Sequence, residues 1–547
     1  MNIVIRSDAS LMMGSGHVMR CLTLAHRLRE QGHSIHFICR EQSGHLADAI
    51  AKQGFAVTLL SARTCSNFAK SFAHSQWLGM SENDDFADCA PLLQSLQPDW
   101  LIIDHYAISR TWQGLAKQLC PHVKILVIDD LADRPHLADI LLDQTFGRQP
   151  QDYQGRVPSH CRLLLGTRYA LLRDEFGQWR EISLRRRQQA NFAVKNILVN
   201  LGGVDNDNVT LAVLRSLTAV VKSDMQMTEI KVIVVMGATA PHIASVQAFA
   251  ASAPYTCQVV VNADNMAELM ANADIAIGAA GSTTWERCAL GLPMVLLVLA
   301  DNQRFIAEAL TQAKLVTASD DISQLSQQLP IAFKQLQANL SRFSKKIAQT
   351  VDAKGATRVA NHLGLTGKTV QVRKATFNDV VQVWQWRNHP DVRQYMFGQD
   401  EIALADHEKW FTRQLTLSNV TLLIFEVNHA PMGFVNFTCP TIDKYQTLNN
   451  HAQPKDTASW GFYLAPNSPK GQGLGYLLGV LAISYMFSQP NPVKAISAQV
   501  LDYNSASLAL HRKLGFQETG MLKQHFAVAD KTYDVVEFEL SADNFLY

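Results

Sequence analysis

The sequence predicts an α/β protein built from two doubly wound parallel-sheet domains followed by a third, smaller domain of different texture. Three observations carry this. Short apolar β-rich runs alternate with helical stretches from the N-terminus onward; the alternation starts afresh beyond a basic segment around Arg185 to Arg187; and past residue 367 the runs pair as hairpins. At 547 residues the chain exceeds a single hydrophobic core, and customary domain sizes make three or four units.

In the first domain, placed at 1–160, "NIVIR", "IHFIC", "AVTLL", "WLIID", "VKILVID" and "ADILLD" read as buried parallel strands. In the second, 161–366, "NILVNLGG", "IKVIVVMG", "CQVVV", "ADIAIGAAG" and "PMVLLV" do the same, and a helical stretch from about Ser323 to Leu363 closes it. Glycines in "GLTGKTVQVRKAT" mark the boundary near 367. The third domain, 369–547, carries "TLLIFEVN", "APMGFVNFT", "SWGFYLA" and "VKAISAQVL" as strands, with a helix after the glycine cluster of "KGQGLGYLLGVLAISYMF".

Lys plus Arg number 49 against 48 for Asp plus Glu, so a net charge of +1 leaves no footprint for nucleic acid or an anionic membrane. Nine scattered cysteines without a CxxC pair fit reduced thiols. With no signal-peptide pattern and no run of about 18 apolar residues, a cytoplasmic location is the expectation. No metal-ligand constellation stands out, and no metal is expected; Asp205 and Asp207 in "VDNDN" lack a supporting loop pattern.

In open parallel sheets ligands bind beyond the carboxyl ends of strands. The first domain places Asp8, Gly14, Gly16 and His17 there after its first strand, Asp104 and His105 in "IIDHY", and Asp129 in "VIDD". "GSGHVM" supplies two glycines of a dinucleotide fingerprint, but Met19 occupies the third position, which disfavours a nicotinamide or flavin. His17 follows glycines that let a ligand approach the backbone, and a helix N-terminus tends to keep a histidine neutral, as a general base needs.

In the second domain, "GAAGSTTWERCALGLPMVLLVLADNQ" resembles the UDP-sugar site of two-domain, GT-B-like glycosyltransferases of peptidoglycan synthesis, which are Rossmann-like in both halves. The resemblance implies that Gly281, Ser282 and Thr283 face phosphate, Glu286 takes the ribose hydroxyls, and Asn302 and Gln303 complete the site. With "RSDAS", "GSGHVMRCLTLA", "DHY", "YALLRDEF" (carrying Arg173), "LGGVD" and "GSTTWERCALGLP" in this order, residues 1 to about 365 resemble the UDP-sugar hydrolases of pseudaminic acid biosynthesis. That resemblance implies His17 as catalytic base, water as nucleophile and inversion at the anomeric carbon of UDP-2,4-diacetamido-2,4,6-trideoxy-β-L-altropyranose.

In the third domain, Lys470, Gly471, Gln472, Gly473, Leu474 and Gly475 resemble the acyl-CoA loop of GNAT acetyltransferases, with Lys470 where Arg or Gln is usual. "LDYNSASLALHRKLGFQETG" matches the segment that completes the family's cleft, bringing Asn504 to it. The resemblance implies acetyl-CoA as cosubstrate, two splayed strands, and a free N–H near Phe462 to Leu464 for the acetyl carbonyl. Many relatives carry Tyr where this chain has His511, so His511, as imidazolium, and Tyr503 both stand as candidate acids. "VWQWRNHPDVRQYMF" resembles acceptor-side helices, placing Trp386 and Arg387 near the acceptor. The domain resembles the N-acetyltransferases of the same pathway, which use the 4-amino group of a UDP-linked sugar. A glycosyltransferase fused to an acetyltransferase, and a non-catalytic sugar-nucleotide binder, stand as alternatives.

Overall fold

The computed structural model describes residues 1–63, 72–188, 194–223, 229–365, 370–428, 430–440, 456–469, 473–528 and 531–545. The chain divides into two compact units, Met1–Ala360 and Asn361–Tyr547.

The first unit holds two all-parallel sheets. One comprises β1 (Asn2–Ser7), β2 (Ser34–Arg40), β3 (Ala56–Leu60), β4 (Trp100–Asp104), β5 (Lys124–Ile128), β6 (Ile140–Asp143) and β7 (Arg162–Leu165), in the order β3-β2-β1-β4-β5-β6-β7. The other comprises β8 (Asn196–Asn200), β9 (Lys231–Met236), β10 (Thr256–Val261), β11 (Ile275–Ala279), β12 (Met294–Leu297) and β13 (Thr317–Ser319), in the order β10-β9-β8-β11-β12-β13. Strand order reverses beside β1/β4 and beside β8/β11, and such reversals open a crevice at the strands' carboxyl ends.

Every residue of β4 and β11 is buried, which is why both read as unbroken apolar runs rather than alternating ones. β7 and β13 lie at the sheet edges and are each buried at a single position.

The second unit is built on a mixed sheet of β14 (Val370–Lys374), β15 (Val420–Val427), β16 (Ala430–Thr438), β17 (Thr457–Leu464), β18 (Ala495–Leu501), β19 (Gln517–Val528) and β20 (Lys531–Ser541), in the order β14-β15-β16-β17-β18-β20-β19. The architecture is the one expected: two parallel α/β sheets, then a mixed-sheet domain. The C-terminal hairpin β19–β20 supplies strands that no pattern had singled out, because β19 is mostly exposed and lacks an apolar stripe. β17 and β18 run parallel but pair only from Thr457↔Ala495 to Ser459↔Ser497. Beyond that point they part, and the stretch from Trp460 to Phe462 borders an opening shared with Ser497 to Leu501 of β18. Among the described residues, no helix is long and apolar enough to cross a membrane.

Candidate functional sites

The first site is a cleft of about 360 Å³ that draws on both sheets of the first unit. From the β1 side come Ser15, Gly16, Met19 and Arg20, at the start of the helix Gly16–Glu30; from the other sheet come Asn200 at the end of β8, Gly202 and Gly203 beyond it, and Ser282, Thr283 and Glu286 after β11. The two halves meet closely: a Cβ on Gly16 would lie 3.6 Å from Ser282 Oγ. Gly237, after β9, is pressed against Gly203 so tightly that a Cβ there would fall 2.3 Å from the Gly203 carbonyl oxygen, and only glycine fits.

His17 sits in the first turn of the helix, 6% exposed, behind the cleft wall formed by Gly16 and Arg20. Its Nδ1 lies 2.6 Å from Asp104 Oδ1. Burial alone would raise the Asp104 carboxyl, yet Arg20 and His17 hold it well below the usual carboxylate range. An ionised carboxylate only accepts hydrogen bonds, so Nδ1 carries the proton of this contact. No described residue hydrogen-bonds Nε2; the ring meets Tyr106 edge-on at 4.5 Å between centroids, with Trp77 at 6.1 Å.

Arg20, three residues along the same helix face, clamps Asp104 through Nε (2.6 Å) and Nη2 (2.7 Å) and reaches Asp130 with Nη1. Tyr106 also donates to Asp130, at 2.8 Å. Neither Arg20 nor Tyr106 was singled out from the sequence; the i+3 spacing from His17 to Arg20 was the available signal.

Other residues expected near this site are placed differently. Asp8 and His105 are buried below the cleft: Asp8 pairs with Arg6 at 2.5 Å, accepts from the Arg40 N–H at 2.7 Å, and lies 3.3 Å from His105 Nε2. Burial pushes the His105 imidazole down against the attraction of Asp8, and their network joins the ends of neighbouring strands. Asp129 is likewise engaged, by Arg134 at 3.0 Å and the Tyr153 hydroxyl. Gly14 turns the chain at φ 76° before the helix, outside the cleft lining. Ser282, Thr283, Glu286 and Arg173 line the cleft, while Gly281 does not. Arg173 Nη2 stands 3.7 Å from Glu286 Oε1, and burial pushes the Glu286 carboxyl up against that attraction. Asn302 is exposed in the short turn Asp301–Gln303, and Gln303 accepts from the Leu299 N–H at 2.9 Å; neither borders the cleft.

The second unit has three hollows that share Phe462. A groove of about 760 Å³ is lined by Leu464, Gly473, Leu474, Gly475 and Asn504. Gly473 caps the helix Leu474–Phe487 at φ 71°, a conformation that favours glycine. Lys470, Gly471 and Gln472 lie outside the described residues. Asn504 caps the helix Ser505–Leu514 by accepting from the Ser507 N–H.

His511 lines the second hollow, of about 500 Å³, with its ring against Trp460, Phe516 and Phe538. Its Nδ1 donates to the Ser507 carbonyl at 2.8 Å, and burial pushes the imidazole down to about 4. This environment corrects the imidazolium expected from the sequence: at neutral pH the ring is uncharged, and Nε2 offers a lone pair rather than a proton. Tyr503 donates its hydroxyl to the Gln394 carbonyl at 2.8 Å and lines none of the three hollows. Trp386 packs in the core with Val383 and Phe411, while Arg387 borders the third hollow, of about 440 Å³. Among the described residues, no group of three or more His, Cys, Asp or Glu side chains could hold a metal ion.

Comparison with known proteins fits this geometry. The family model for the GNAT acetyltransferase domain matches residues 370–517, and that for the glycosyltransferase family 28 C-terminal domain matches residues 209–363. The glycosyltransferase-type match spans β9 to β13, and the acetyltransferase-type match spans β14 to β18. An uncharacterised protein of Methanocaldococcus jannaschii is 24% identical over 526 residues, covering 95% of this chain and 97% of that one. The UDP-2,4-diacetamido-2,4,6-trideoxy-beta-L-altropyranose hydrolase of Campylobacter jejuni is 28% identical over 307 residues, 56% of this chain and 95% of that one. The Acinetobacter baumannii MurG crystal structure aligns at 17% identity with a TM-score of 0.48, covering 66% of this chain and 98% of that one.

Proposed function

We propose that the first unit cleaves the anomeric C–O bond of a UDP-linked sugar and that the second acetylates the amine of a UDP-linked amino sugar with acetyl-CoA. The carrying observation is the His17–Asp104 pair beside a cleft walled by both parallel sheets. In this reading the nucleotide lies against Gly202, Gly203, Ser282 and Thr283, Glu286 takes ribose hydroxyls, and Arg173 meets the diphosphate. Asp104 fixes the His17 tautomer, and Nε2 draws a proton from water as water attacks the anomeric carbon opposite the departing UDP. The peptide N–H groups opening the helix Gly16–Glu30 offset charge on the leaving diphosphate.

The finer substrate assignment is UDP-2,4-diacetamido-2,4,6-trideoxy-β-L-altropyranose, made by acetylation of its 4-amino precursor in the second unit; the Campylobacter jejuni hydrolase similarity supports it. A second reading, transfer of the sugar to a hydroxyl acceptor, has the more direct support of a family match, because the glycosyltransferase model covers residues 209–363. The two readings share UDP departure and differ only in the nucleophile.

Incubating the protein with the 4-amino UDP-sugar and acetyl-CoA in oxygen-18 water separates them. Hydrolysis places one label on the sugar and none on UDP. Transfer yields no UDP until an acceptor is added, and a binding protein yields none at all.

A further inference from the structure

The third hollow of the second unit contains two polar groups that the fold leaves unanswered. His407, on the helix Leu404–Thr416, is 3% exposed, lines the hollow, and has a buried Nε2 with no hydrogen-bond partner among the described residues. Arg387 enters from the facing helix Val380–Asn388; its Nη2 donates to the Gly398 carbonyl at 2.7 Å, its Nη1 is buried without a partner, and no described carboxylate pairs with it. Leaving such groups unmade costs about 1–3 kcal/mol each, so their retention calls for a ligand. The remaining lining includes the aromatic rings of Trp410, Phe434 and Tyr463 and the amide of Asn436, and Asp406 borders the hollow, 73% exposed and 3.9 Å from Lys409.

The hollow opens onto the point where β17 leaves β18: Gly461 and Phe462 border both it and the neighbouring hollow, and Phe462 also borders the groove lined by Gly473 and Asn504, which the acetyltransferase reading gives to acetyl-CoA. Asn388 anchors its outer wall, donating to the Ile402 carbonyl at 2.8 Å and accepting from the Ile402 N–H at 2.9 Å.

We propose that this hollow is the acceptor chamber, that His407 is a catalytic residue receiving the attacking amine, and that the unpaired Arg387 guanidinium selects weakly basic amines by repelling ammonium ions. The proposal rests on the acetyltransferase reading above and names the acceptor's chemistry. A strongly basic amine resembles lysine, with a pKa near 10.4, and enters as a cation. An amine on a sugar carbon flanked by oxygen-bearing carbons is less basic and supplies a much larger neutral fraction. The amine nitrogen bonds to the acetyl carbon, the C–S bond breaks, and one proton passes from nitrogen to His407 and on to solvent. The departing sulfur takes a proton from solvent and leaves as the CoA thiol. Burial, with the Arg387 charge nearby, pushes the His407 imidazole down to about 4, which keeps its lone pair free at neutral pH.

The test follows CoA release from the full chain with three amines: the 4-amino UDP-sugar, glucosamine and spermidine. Wild type is expected to favour the weakly basic amines over spermidine by at least tenfold. His407→Gln and His407→Phe are expected to lower kcat at least tenfold while acetyl-CoA binding by calorimetry changes less than twofold, which separates loss of chemistry from misfolding. Arg387→Met is expected to narrow the preference against spermidine at least fivefold. Spermidine used as well as the sugars, or His407 variants within twofold of wild type, would overturn the proposal. Glucosamine acetylated in a His407-dependent way, with the UDP-sugar ignored, supports the chamber while refuting the substrate reading. No CoA release from either weakly basic amine overturns both.

Discussion

His17 and His511 are both buried, both lie on helices, and both carry the proton on Nδ1, but the partner that fixes that proton differs. For His17 it is an ionised carboxylate, itself clamped by Arg20; for His511 it is a neutral backbone carbonyl inside a shell of aromatic rings. A carboxylate can offset positive charge that forms on the ring during reaction, whereas a carbonyl among aromatics cannot. Similar residues at comparable depth are therefore fitted for different work, and the distinction lies in the charge of one neighbour.

The largest expected effect breaks the His17 side. His17→Ala should slow UDP release by about 10²–10⁴-fold while leaving CoA release by the second unit unchanged; retention of the native rate would remove the proposed base. Asp104→Asn should follow, at roughly 10²-fold, because an amide no longer dictates the tautomer and leaves Arg20 with Asp130 as its remaining charge partner. Gly237→Ala tests the floor of the same cleft. Its new Cβ collides with the Gly203 carbonyl, and a loss of about 1–3 kcal/mol in denaturant unfolding is expected.

The His511 side is sharpened by acid. Below pH 6.5 the unfolded chain protonates this histidine, while the folded ring resists until about 4. The unfolded state therefore binds more protons in that window, and stability falls as pH drops from 6.5 towards 4. In His511→Phe the dependence should be shallower by up to about 1.4 kcal/mol per pH unit, read from urea unfolding at several pH values; an unchanged slope would contradict the burial argument. The smallest effect is expected at Tyr503→Phe. Its hydroxyl is committed to the Gln394 carbonyl outside the hollows, so kcat for CoA release should change by less than about threefold.

Much of the fold was legible because buried parallel strands cannot alternate: "WLIID" and "ADIAIGAAG" announced themselves as continuous apolar runs. The mostly exposed strand β19 had no such signature. Within the sites, the small residues Gly16, Ser282, Thr283 and Gly473 at strand-to-helix turns line the hollows, whereas Gly14 and Gly281, chosen by the same pattern, do not. Charged residues were harder to place. Asp8 and His105 stand at strand ends like Asp104, yet they face Arg6 and each other below the cleft, because neighbouring side chains on a strand point to opposite faces. His407 gave no signal, being one polar residue in an amphipathic helix.

The amino-acid order by itself determined the alternation of strand and helix, the change of sheet type past residue 367, and the glycines at the turns, since these depend on local sterics and burial periodicity. Only tertiary structure decided which ionisable groups pair: Asp104 with Arg20, 84 positions apart, and Arg387 with no described carboxylate. Coulombic and desolvation energies depend on distances through space, and sequence separation does not encode them.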